Sequence, residues 1–200
     1  MLTHGATLVF ICAILAGTTY AVANRADPRS GPGADEAEHG DGAPATAQIV
    51  ALDECDPASF NAALGESGGG FCHNVALAAL GYATTLSDLF AKAAAGTPDP
   101  GWDFEPDHST IHKGALLSVV NQGGEPHTFT EVKRFGGGFI PDLNHGEPIV
   151  SECEGGFANV EVARTRIVQG SRIDVGNLPK GKHLFQCCIH PWMRTEVEVK

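Results

Sequence analysis

Cys187-Cys188-Ile189-His190-Pro191-Trp192-Met193 sets a thiol, an imidazole and a thioether at three-residue spacing. One loop between two strands is short enough to turn all three toward a single point, and Pro191 stiffens it. Upstream, Asn121-Gln122-Gly123-Gly124-Glu125-Pro126-His127-Thr128-Phe129 contributes a second imidazole. Two imidazoles, one thiolate and a weak thioether are the donors that hold copper in nearly one geometry in both oxidation states. The reading of this chain turns on whether His127, Cys187, His190 and Met193 meet.

Around these segments, short apolar runs alternate with Gly, Pro and Asn turns from Trp102 onward. The runs are 115–120, 128–132, 149–151, 160–162, 166–168, 173–175, 183–187 and 195–199. Many short strands at such spacing predict a mainly β domain, a sandwich or barrel, over residues 99–200. Thr195-Glu196-Val197-Glu198-Val199 alternates cleanly, as a strand with one solvated face does. His108 and His112 lie in an extended segment and read as surface residues. His145 falls in a Gly- and Pro-rich stretch, 135–154, that reads as an inserted loop or hairpin.

Residues 102–200 resemble the cupredoxins, and the ligand spacing is most similar to that of the amicyanin and plastocyanin group. Three features carry the likeness. Asn121 precedes His127 with five residues between, Gly181-Lys182-His183-Leu184-Phe185-Gln186-Cys187 leads in as the ligand strand, and Cys187-x-x-His190-Pro191-Trp192-Met193 closes the motif. The resemblance implies a Greek-key β-sandwich, one type 1 copper per chain and one-electron transfer. His127, Cys187, His190 and Met193 would be the ligands, and the edge of His190 would serve as an electron port near the surface. Thr128 stands where the family often has Asn, so the link between the two ligand loops is expected to differ. Other metal sites fit less well. A binuclear copper centre needs bridging thiolates three residues apart, a trinuclear cluster needs His-x-His pairs, and a zinc site would need both vicinal cysteines on one ion.

Cysteine parity bears on the same site. The N-terminus, residues 1–23, reads as a signal peptide with an apolar stretch at 8–16 and Ala21-Val22-Ala23 as the cleavage site. An uncleaved anchor is the alternative. Removing it leaves Cys55, Cys72, Cys153, Cys187 and Cys188, an odd number for an oxidising compartment. Cys55 and Cys72 flank a helix, and a bridge between them would close a loop of roughly 17 residues, worth about 3 kcal/mol. Cys187 could bond Cys188 or Cys153, either of which would destroy the copper site. The compatible pairing is Cys188 with Cys153, because neighbouring side chains on a strand point to opposite faces.

Residues 24–47 are Pro, Gly, Ala and acid, a disordered linker by composition. Residues 48–98 read as a small helical N-terminal extension. Asp56-Pro57 opens one helix and Thr85-Leu86-Ser87-Asp88 opens another that runs through Ala95 to Gly96. The role of this extension is left open.

A formal net charge of -11 argues against nucleic acid and suits a partner with a basic docking face. The expectation is therefore an exported, periplasmic or extracellular monomer, with no membrane span once the signal is cleaved. It would carry electrons between redox proteins and would not be an enzyme. The alternatives are a copper delivery or sensor module, and a cupredoxin-fold interaction domain without a redox role.

Overall fold

The computed structural model describes residues 46–64, 72–73, 81 and 83–200. The expected signal peptide, and the linker up to residue 45, lie outside the described residues. Among the described residues no helix is long and apolar enough to cross a membrane.

The fold is mainly β. The strands are β1 (Thr46–Leu52), β2 (Asp103–Glu105), β3 (His108–Ile111), β4 (Leu116–Asn121), β5 (His127–Thr128) and β6 (Thr130–Val132). They are followed by β7 (Arg166–Ile167), β8 (Arg172–Val175), β9 (Gly181–Gln186) and β10 (Arg194–Val199). Two four-stranded sheets run in the orders β2-β1-β4-β8 and β3-β10-β9-β6, and β5 pairs with β7. Both sheets feed one apolar core: Ile49, Ala51, Phe104, Leu117 and Val119 from the first, Ile111, Phe185, Val197 and Val199 from the second. Phe129 sits between them, edge-on to Phe104 at 5.2 Å and stacked on Phe185 at 4.3 Å. Alternation sets this arrangement. On β10, Thr195, Val197 and Val199 are buried while the residues between them are not.

Three expectations are corrected. The stretch read as linker and helical extension opens with a strand. β1 pairs in parallel with β4 from Thr46 opposite Leu116 to Ala51 opposite Asn121, and antiparallel with β2, so it lies inside the first sheet. Its apolar residues run together from Ile49 to Leu52 without clear alternation, and only Ile49 and Ala51 are fully buried, so no strand stood out against the Ala-rich surroundings. The run at 160–162, expected as a strand, begins the helix α3 (Val160–Arg164), which Asn159 caps by accepting from the Glu161 amide. The run at 149–151, also expected as a strand, is none, and the inserted segment 135–154 has no strand of its own. It makes one bridge, Gly137 to Ile149, and 3₁₀ turns at Pro141–Leu143 and Ser151–Cys153.

The remaining helices are α1 (Pro57–Leu64) and α2 (Leu86–Ala95). Thr85 caps α2 by accepting from the Asp88 amide, and Gly96 ends it at φ 69°. Phe60 of α1 and Leu89 and Ala93 of α2 build a second cluster with Cys55, Cys72, Trp102 and Leu143. Trp192, in the loop after β9, packs against this cluster and against the sandwich core.

One polar contact at the far end of β9 makes stability depend on pH. His183 is bonded through Nδ1 to Glu131 at 2.6 Å and through Nε2 to the Pro179 carbonyl at 2.8 Å. Two acceptors favour the doubly protonated ring. Burial lowers its pKa, but Glu131 and the carbonyl outweigh this and raise it. The contribution is therefore full below the unfolded value of about 6.5 and is lost as pH rises through the raised folded value. The stability advantage of the parent over His183→Gln is expected to shrink from about pH 6 to about pH 9. Urea midpoints across that range check it, and a constant difference would mean that folding does not raise the ring's pKa.

Candidate metal centre

The end of β9 and the loop that follows bring the decisive residues together. The Cys187 amide donates to the Met193 carbonyl at 3.1 Å and the Met193 amide to the His190 carbonyl at 3.0 Å, so the loop closes on itself. The sulfur of Cys187 also receives amide hydrogens from His190 and from Thr128, each at 3.4 Å. The Thr128 hydroxyl in turn accepts from the Cys188 amide at 2.7 Å. This threonine ties the two ligand loops where the resemblance led us to expect a different link.

His127 Nδ1, Cys187 Sγ and His190 Nδ1 all lie within 4.8 Å of one another, and all three residues are buried. The sulfur is 3.9 Å from His127 Nδ1 and 4.0 Å from His190 Nδ1, and the two nitrogens are 3.4 Å apart. A first-row ion bonded at about 2.0 Å to nitrogen and about 2.3 Å to thiolate, in a trigonal arrangement, would space its donors at about 3.5–3.7 Å. The three atoms therefore fit one ion. Met193 is fully buried in the same apolar cluster as Cys187.

Cys187 is the free thiol among the described residues. The bridges are Cys55–Cys72 and Cys153–Cys188. Cys187 faces the sandwich core, whereas Cys188 joins Val132, Val150, Cys153 and Val162 on the other side.

Two site residues were missed at the sequence level. Asp53 Oδ2 lies 2.9 Å from His127 Nε2, and Glu125 Oε2 lies 3.2 Å from His190 Nε2. Both carboxylates are buried. Asp53 comes from just beyond β1, 74 positions before His127. It also accepts from the amides of Glu125 and Cys55. Gly123 is required here, because a Cβ at that position would overlap Asp53 Oδ2. Asn121 shapes the same turn by donating to the carbonyls of Glu125 and Ile167 and accepting from the Gly123 amide. Glu125, two residues from His127, was within reach of a sequence reading; nothing near Asp53 signalled its role.

These contacts set the charges. Burial raises the Cys187 pKa, but hydrogen bonding to His127 and His190 overcomes this and holds it well below 9.0. Burial lowers the His127 pKa, yet Asp53 and the thiolate push it up to about 10. His190 moves upward against burial for the same reasons, with the thiolate and Glu125 as partners. Asp53 is raised by burial but lowered further by His127. Without a metal, the thiol and both rings are thus all shifted toward their charged forms.

The surface position implied for His190 is corrected. Only 1 % of the residue is exposed. The Trp102 ring meets its imidazole edge-on at 4.7 Å and is itself stacked on Phe60 of α1 at 5.9 Å. Glu125 occupies the remaining ring nitrogen. Trp102, backed by Phe60 of α1, thus covers the edge that the resemblance placed near solvent. His145 lies away from the centre, exposed and bonded to the Ala94 carbonyl.

No protein family and no curated protein matches the chain. Among solved structures, a purple cupredoxin from Nitrosopumilus maritimus is 16% identical over 51% of this chain and 86% of its own, with a TM-score of 0.35. A point mutant of amicyanin in the reduced state is 15% identical over 49% of this chain and 73% of its own, with a TM-score of 0.32. A copper-containing nitrite reductase from Thermus scotoductus is 19% identical over 50% of this chain and 20% of its own, with a TM-score of 0.33. These likenesses are distant, and the chemistry has to be read from the site.

Proposed function

We propose that this chain is an exported type 1 copper protein of cupredoxin type that carries single electrons between redox partners and is not an enzyme. The observation that carries this reading is the convergence of His127 Nδ1, Cys187 Sγ and His190 Nδ1 on one buried point, with Cys187 left out of both disulfides. Met193, buried beside them, is assigned as the weak fourth ligand. Copper held there would supply a one-electron couple between Cu(I) and Cu(II).

The chain's own groups prepare that role. Cys187 is shifted toward its thiolate, and on binding an ion each imidazole would release its Nδ1 proton to solvent while keeping Nε2–H on its carboxylate. The amides of Thr128 and His190 hold the sulfur in place, so little has to move when charge changes. The sandwich core and Trp102 exclude water. The ring of Trp192, partly exposed and 5.5 Å from that of His190, connects the centre to the surface. Two disulfides support an oxidising compartment. The net charge of -11 favours a partner with a basic face. Burial of all three donors favours a resident ion over a delivery module, which must release its cargo.

The test is to add Cu(II) to the metal-free full chain and record binding, the visible spectrum and redox cycling. One equivalent bound, with an intense thiolate-to-copper band bleached reversibly by reductant, is expected. A colourless protein that binds no stoichiometric copper would overturn the reading. Loss of the ion to a competing chelator within seconds would favour delivery.

A further inference from the structure

We propose that Asp53 and Glu125 act as positioning residues that bias the centre toward the oxidised ion, an inference that rests on the copper reading above. Both imidazoles are held in the same way: Nδ1 faces Cys187, and Nε2 meets a carboxylate oxygen at 2.9 Å for Asp53 and 3.2 Å for Glu125. The carboxylates are 4% and 5% exposed. Rotating either ring would take the imidazole N–H away from a buried carboxylate, which is unfavourable. The two rings are therefore locked with one nitrogen inward before any ion arrives.

The same contacts fix the charge of the centre. Cys187, Asp53 and Glu125 would bring three negative charges into one largely buried space. Divalent copper leaves one of these uncompensated, and monovalent copper leaves two. Screening is weak in such a site, so the added electron meets a repulsion that a solvated ring edge would not impose. The cation that lines the apolar cleft beside Glu125, Arg166, lies over the Phe157 ring at 5.1 Å. The bias is carried through the ligands, since each carboxylate increases the electron donation of the ring it holds.

Orientation and charge can be separated. An amide oxygen can accept the same Nε2–H and keep the ring in place, but it carries no charge. In the full chain, Asp53→Asn and Glu125→Gln are each expected to keep the thiolate-to-copper band. Each should shift the ratio of Cu(I) to Cu(II) affinity by about tenfold toward Cu(I), which is about 59 mV upward in midpoint potential. The double variant should shift further. Potentials and affinity ratios within about twofold of the parent, with the band retained, would overturn the proposal and leave the carboxylates a purely orienting role. Asp53 also holds two backbone amides, so its variant is the one at risk of misfolding. Glu125→Gln then decides alone. A parent chain that binds no copper would overturn this proposal together with the function. Copper bound with unshifted potentials would overturn this proposal only.

Discussion

Cys187→Ser is expected to abolish the visible copper absorption and to lower copper affinity by more than about 100-fold, beyond the range usual for loss of a group that only supports a ligand. The sulfur is the one donor common to both imidazole contacts, at 3.9 Å and 4.0 Å. Two imidazoles hold its pKa well below 9.0 against the effect of burial, and this favours the thiolate. A serine hydroxyl does not ionise in that setting and is a hard donor, so both the charge and the softness that suit copper are lost. Competition against a chelator of known affinity measures the loss, and circular dichroism checks that the variant is folded. A variant that stays coloured would show that another group supplies the sulfur.

Removing the Cys153–Cys188 bridge by the double change to Ser is expected to act on stability and not on colour. The bridge spans 35 residues of sequence. Closing a loop of that size stabilises by about 4 kcal/mol in the chain-entropy treatment. For a domain of this size, the melting temperature should fall by roughly 8–16 °C. The copper band should survive, because Cys188 belongs to a different apolar cluster from Cys187. Its amide also stays bonded to the Thr128 hydroxyl whatever the side chain. Loss of colour with little change in melting temperature would reverse the roles assigned to the two adjacent cysteines. Calorimetry and the visible spectrum of the same sample give both answers.

The difference between these two substitutions was legible in the sequence, because alternation along a strand places neighbours on opposite faces. The helix Leu86–Ala95 was equally legible, with Thr85 and Gly96 marking its ends. Strand β1 was not. Only Ile49 and Ala51 point clearly inward, and its partner strand lies about seventy positions away, Thr46 opposite Leu116. The segment 160–162 was misread because its alternating Val residues suit a strand, while Asn159 offers the cap that starts a helix.

Local chemistry thus decided what lies within a few residues of itself. The loop from Cys187 to Met193 presents a thiolate, an imidazole and a thioether because three-residue spacing in a tight turn leaves little choice. The neighbouring cysteine is directed elsewhere by the same geometry. Tertiary structure decided what surrounds those donors. Asp53 reaches His127 across 74 positions, and Trp102 closes over His190. Neither contact has a sequence pattern, because each arises only once β1 has entered the sheet and the helices have packed against the loop. The donor set is a property of the motif. Its burial, its charge and the covering of His190 are properties of the fold.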